Sequence, residues 1–140
     1  MLQLSTIDPI KSKLTALAIP VAEDKNLHRN PKINALVKKS KKFKEFKGAK
    51  DDTITHYEPY GLNSQRVLII GVGKADEITL DQLRIMGGRI VKAAIGLDLT
   101  EIAILVPSTK NIKFDPEDTM SAIGEGARLA NYRFDKYRKP

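Results

Sequence analysis

Apolar residues recur along this chain at two spacings, and the spacings separate strands from helices. "LTALAIPV" (14–21), "RVLIIGVG" (66–73) and "EIAILVP" (101–107) are largely apolar without alternation, as expected of strands buried on both faces of a sheet. "LQLST" near the start and "TITHYEP" (53–59) are shorter β-rich segments, the second ending at Pro59 before a turn at "YGLNSQ". Between these runs the apolar residues fall three or four apart. Ile33, Leu36, Val37 and Ser40 share one helical face, and Leu83, Met86, Ile90 and Ala94 share another. Met120, Ile123, Ala127 and Ala130 form a third stripe, which Phe134 extends.

Start signals agree with the stripes. Asn30 caps the first helix with Pro31 in its first turn. "TLDQ" at 79–82 is a capping box, with Thr79 as cap and Gln82 reaching back, and that helix stops near Gly96. Asp115 caps the third, with Pro116 in the first turn and acids at the positive helix end. Strand, helix, strand, helix with short connections is a right-handed parallel βαβ arrangement. The expected fold is α/β, a three-layer sandwich with a mixed, largely parallel sheet. Gly87 and Gly88 lie inside a helix, where each costs about 1 kcal/mol relative to alanine. The expectation is that they let that helix approach the sheet.

Length and composition narrow the class. The 140 residues suit one domain, and 41% hydrophobic with 29% charged residues excludes a disordered chain. With no cysteine, disulfides, thiol catalysis and thiolate zinc sites are excluded, which fits a cytoplasmic protein. "KSKLTALAIPVAED" loosely mimics a signal peptide, but Pro20 interrupts the apolar run and a buried strand is the better reading. No segment approaches the ~18 apolar residues of a membrane span.

The net charge of +7 is concentrated in two places. Residues 38–50, "KKSKKFKEFKGAK", hold seven lysines and one glutamate, and residues 133–139 hold four cations and Asp135. Lys38, Lys39, Lys41, Lys42 and Lys44, interleaved with Phe43 and Phe46, are therefore candidate anion- or nucleic-acid-binding residues. The competing reading is a solvated face anchored to the core by its phenylalanines while the lysines point outward. That reading is favoured on charge alone.

Other candidate chemistry is thin. "GVGK" after a strand suggests a phosphate loop, but Asp76 stands where a dinucleotide fingerprint needs glycine, so a tight turn is preferred. His28 and His56 are far apart and belong to no zinc motif. No serine has a nucleophile-elbow context, and the acids sit at turns and helix starts. No catalytic, metal-binding or cofactor-binding residue is identified.

The second half resembles the amino-terminal domain of the leucyl aminopeptidase (cytosol aminopeptidase) family. The resemblance rests on "FKG" (46–48), "RVLIIGVGK" (66–74), "LRIMGGRIVKA" (83–93), "EIAILVP" (101–107) and "EGARLANYRFDKYR" (125–138), and is good from 66 to 138. It implies a macro-domain-like fold. It also implies a parent that removes amino-terminal residues from peptides with two divalent metals, zinc or manganese, and assembles as a cytoplasmic hexamer. The family's metal ligands and catalytic residues lie in a carboxy-terminal domain, and none of its motifs stands in this chain. Residues 1–132 are then expected to be the amino-terminal domain and 133–140 the start of a linker to an absent catalytic domain. Tyr132, Arg133, Phe134, Asp135, Lys136 and Tyr137 would form the interdomain joint, with Phe134 buried. The alternatives are a basic anion- or nucleic-acid-binding module, or a macro-type nucleotide binder.

Overall fold

A computed structural model describes residues 3–5 and 14–138, with side chains described from Ala16 to Arg133. The strands are β1 (Gln3–Ser5), β2 (Leu14–Val21), β3 (Thr53–Tyr57), β4 (Ser64–Gly71) and β5 (Glu101–Ile104). The α-helices are α1 (Pro31–Ser40), α2 (Leu80–Gly96) and α3 (Pro116–Arg138), and a 3-10 turn spans Ala75–Glu77. The strands form one sheet in the order β1-β5-β2-β4-β3. β1, β5, β2 and β4 are parallel, while β3 pairs antiparallel with β4 at the edge.

In the apolar runs, odd and even residues divide between two cores. Leu17, Ile19, Val21, Val67, Ile69 and Ala103 face α1, where they meet Ile33, Leu36, Val37 and Phe46. Ala16, Ala18, Leu68, Ile70, Ile102 and Ile104 face the other way, against α2 and α3. The register puts Leu17 between Val67 and Ala103, so the same parity holds across the three central strands. The result is the expected three-layer α/β sandwich with a mixed, largely parallel sheet. Each fully buried leucine or isoleucine contributes about 2 kcal/mol through removal from water.

The helix starts form as the cap residues dictate. Asn30 Oδ1 accepts from the Lys32 and Ile33 amides at 2.9 and 3.3 Å. Thr79 and Gln82 make the reciprocal capping-box bonds, both 3.1 Å. Asp115 Oδ1 accepts from the Asp118 amide at 2.8 Å. At the end of α2, Asp98 adopts φ 57°, reversing the chain toward β5.

Three expectations need correcting. Gly87 meets α3, not the sheet: a Cβ there would overlap the Ile123 carbonyl oxygen. Met120 is 45% exposed, and Thr119 takes the inward position, donating its hydroxyl to the Asp115 carbonyl at 2.9 Å. The inner face of α3 is 119, 122, 123 and 127, because its approach to α2 through Gly126 sets its rotation. Finally, α1 stops at Ser40 and only one phenylalanine of the lysine run is an anchor. Phe46 is fully buried, whereas Phe43 is 45% exposed.

Candidate anion site at the ends of the central strands

Ligands of open α/β sheets bind beyond the carboxyl ends of the strands. Here the loops following β2 and β4 meet at that edge with the lysine-rich segment after α1. The sequence's two anion candidates, "GVGK" and the lysine run, are therefore neighbours in space. Gly73, at φ 89°, donates its amide to the Gly48 carbonyl at 3.0 Å, and Gly48 is itself at φ 86°. Only glycine adopts such angles without strain.

Three amides of this loop, those of Val72, Gly73 and Ala75, are already bonded within the chain. Val72 N–H donates to the Val21 carbonyl at 2.9 Å, and Ala75 N–H donates to Asp24 Oδ1 at 3.0 Å. The Ala75 amide holds the Asp24 carboxyl below the usual carboxylate range, with Lys25 and Lys74 adding to the effect and desolvation opposing it. Lys25 also pairs with Asp76 at 3.2 Å. The anion at this loop is the protein's own Asp24, a residue the sequence reading did not single out. Its "ED" dipeptide looked like a turn acid, and nothing in the sequence ties it to a loop 51 residues away.

The candidate lysines divide into two kinds. Lys41 is half-buried, and its Nζ donates to the Ala22 carbonyl at 2.6 Å and to that of Glu23 at 3.2 Å. Burial pushes its pKa down, against the opposing pull of Asp24 and Glu23. It stitches the end of α1 to the loop after β2, so not every lysine of the run points outward. Lys38, Lys39, Lys42 and Lys44 are exposed, and so is Phe43 within the same run. Asp52 closes the loop by accepting the Lys47 and Ala49 amides at 2.9 and 3.2 Å.

The histidines occupy separate sites. His28 is buried with Nε2 2.5 Å from the Pro20 carbonyl; burial pushes its pKa down and the carbonyl partly opposes this. His56 lies in β3, its Nε2 2.8 Å from Ser40 Oγ. Ser40 donates its hydroxyl proton to the Leu36 carbonyl at 2.8 Å, so the imidazole N–H is the donor to Ser40. Burial, then nearby Lys39, lowers the His56 pKa. Ser40 is fully buried and its proton is committed, which suits it for joining α1 to β3 and not for attack on a substrate. A serine on the apolar stripe of α1 was the one sequence hint of this pair. Among the described residues no group of three or more His, Cys, Asp or Glu is placed to hold a metal ion.

The residues expected at the joint fall on α3, which continues through Arg138. Tyr132 and Arg133 are exposed. The side chains of Phe134, Asp135, Lys136 and Tyr137 lie outside the described residues, and so does the expected burial of Phe134.

A parallel-centred sheet with α1 on one face and α2 and α3 on the other is a macro-like architecture. It superposes on a macrodomain of Mycobacterium tuberculosis DarG with a TM-score of 0.61 at 13% identity, covering 92% of this chain and 91% of that one. A tomato leucine aminopeptidase mutant matches with a TM-score of 0.67 at 18% identity, over 92% of this chain and 27% of that one.

The family model described as "Cytosol aminopeptidase family, N-terminal domain" matches residues 12–140, and the chain belongs to this family. The match begins well ahead of the 66–138 segment that carries the motifs. The "Probable cytosol aminopeptidase" of Clostridium perfringens is 32% identical over 131 residues, 91% of this chain and 26% of the relative. That of Acidobacterium capsulatum is 30% identical over 112 residues, 80% of this chain and 22% of the relative. The chain thus spans about a quarter of the length of these relatives.

Proposed function

We propose that this chain is a non-catalytic domain of a cytoplasmic, metal-dependent aminopeptidase, with a structural role in assembling the enzyme and shaping access to its active site. The observation that carries this reading is the family match over 12–140, in a chain spanning about a quarter of its relatives' length. In this reading two divalent metals, zinc or manganese, belong to a carboxy-terminal catalytic domain, and the assembly is a homo-hexamer. Tyr132, Arg133, Phe134, Asp135, Lys136 and Tyr137 form the joint between domains, with 1–132 as the folded unit. They lie on the last turns of α3, so in this reading the joint is approached along a helix.

The direct test is an assay of the purified chain on a leucyl anilide substrate with added zinc or manganese. No turnover is expected, because a two-metal hydrolytic site needs several carboxylates around both ions. Metal-dependent turnover that disappears when a local carboxylate is replaced would overturn the reading. Reading the coding sequence past Pro140 tests the expected catalytic partner.

A second reading is favoured by one observation: Lys38, Lys39, Lys42 and Lys44 are exposed, and so is the phenylalanine that interrupts their run, Phe43. Such a face suits a nucleic-acid backbone without sequence preference, with binding that falls steeply as salt is raised. Replacing those four lysines with glutamine should then abolish retention on DNA. The macro-type nucleotide reading has less support, since the loop amides of Val72, Gly73 and Ala75 already have partners.

A further inference from the structure

We propose that the outer groove between α2 and α3 is a docking site for an acidic amphipathic helix of a partner protein. The groove encloses about 900 Å³ on the face of the helix pair turned away from the sheet. Its lining includes the small residues Gly88, Gly126 and Ala130 beside the buried Val91. Its walls are apolar and open to water: Ile85 is 60% exposed and Leu129 is 49% exposed. An exposed aliphatic pair at the mouth of a concave apolar trough is a feature of interaction surfaces.

The shape selects a helix. α2 and α3 run in the same direction, with Arg84 beside Gly126 and Gly88 beside Ala130. Lining residues extend from Arg84 to Ile95 on α2, about three turns or roughly 16 Å. Two parallel helices leave a cylindrical trough, and small lining residues let a third helix approach to about 8–10 Å between axes. A flat lipid surface would touch the walls without reaching the floor.

The charge selects the partner's flanks. The rim carries Arg84, Arg89, Lys92 and Arg133 against one acid, Glu125. Arg84 is already engaged by Asp81 at 3.7 Å and Glu125 at 3.4 Å, and Arg89 by Asp51 at 3.5 Å. Lys92 and Arg133 have no ion pair among the described residues, and both lie toward the carboxyl ends of their helices. A partner with carboxylates beside its apolar ridge would neutralise them. A second copy docked through this same groove would bring these cations against their equivalents, which is repulsive. The groove shares Arg133 with the proposed interdomain joint, so the inference rests on that joint leaving this face open.

The test is fluorescence anisotropy of the full chain with a labelled synthetic peptide of about 18 residues, long enough for some five helical turns. The probe carries leucines on one helical face and glutamates along both flanks; its control carries lysines in place of the glutamates. Saturable binding of the acidic probe is expected, at least about tenfold tighter than that of the control. Leu129→Ser and Ile85→Ser should each weaken it by about tenfold, as loss of a buried anchor does. The pair Lys92→Glu with Arg133→Glu should reverse the preference between the two peptides. These positions are exposed, and circular dichroism melts will show that the variants remain folded. Failure of the acidic probe to bind would overturn the proposal, as would equal binding of both peptides. Binding lost on changing Lys38, Lys39, Lys42 and Lys44 instead would do the same. So would sedimentation showing that the groove variants dissociate a dimer, or recruitment to anionic vesicles that those variants abolish.

Discussion

Gly126 of α3 lies directly against the backbone of Arg84 in α2, and a Cβ at Gly126 would overlap the Arg84 carbonyl. Gly87 makes the converse contact with Ile123, so each helix presents a glycine to the other's backbone. A Cβ added at Gly88, one residue further on, would make only ordinary van der Waals contacts, with Ala130 Cβ and the Gly126 carbonyl, both at 3.7 Å. Gly126 and Gly88, on facing helices, should therefore respond in opposite directions. Gly126→Ala should cost about 2 kcal/mol, as overpacking outweighs the gain in helix propensity. Gly88→Ala should stabilise by about 0.5–1 kcal/mol. Urea denaturation of the two variants decides it, and a stabilising Gly126→Ala would contradict the close crossing.

Lys41 and Lys42 are adjacent in the run, yet only Lys41 is tied to backbone carbonyls. Lys41→Gln should cost about 1–2 kcal/mol, toward the low end for a charged donor's hydrogen bonds because the side chain is only half-buried. Lys42→Gln should be close to neutral, because an exposed lysine with no fixed partner contributes little. Thermal melts at matched salt will separate them. Equal effects would mean that the Lys41 contact to the Ala22 carbonyl does not persist in solution.

His28 makes stability depend on pH. Burial lowers its folded-state pKa below the ordinary value near 6.5, so the unfolded chain takes up the proton first as pH falls. The contribution is fully present above about pH 6.5 and is lost as pH drops below it. His56 acts in the same direction from a more exposed position. The melting temperature should fall between pH 7.5 and 5.5, and His28→Asn should flatten that slope at some cost in stability at pH 7.5. A slope unchanged in the variant would assign the effect elsewhere.

Asp24 acts at lower pH. Its carboxyl is held below the ordinary value by the Ala75 amide, so its contribution is present above about pH 4 and lost as pH falls through the depressed folded value. Carbon-detected NMR titration should find the Asp24 carboxyl still ionised where exposed aspartates have begun to protonate. Asp24→Ala should free the Ala75 amide, seen as faster hydrogen exchange there. An Asp24 carboxyl that titrates at the ordinary aspartate value would contradict the capped loop.

The sequence alone determined the elements and the fold class. Periodicity, caps and parity act over a few residues, so Asn30, Thr79 and Asp115 marked helix starts that form as read. The local motif segments also carried the family resemblance. Tertiary structure decided what depends on residues distant along the chain. The position of Asp24 on the Ala75 amide and of Lys41 on the Ala22 carbonyl required two loops to meet at the end of β2. The inward turn of Thr119 in place of Met120 followed from the Gly126 crossing, which no pattern within α3 encodes. A helical stripe specifies an apolar side only to within about one residue's rotation, and the neighbour it packs against sets the rest. The apolar runs of the central strands showed that both faces were buried; only the register between β2, β4 and β5 assigned odd residues to α1 and even residues to α2 and α3.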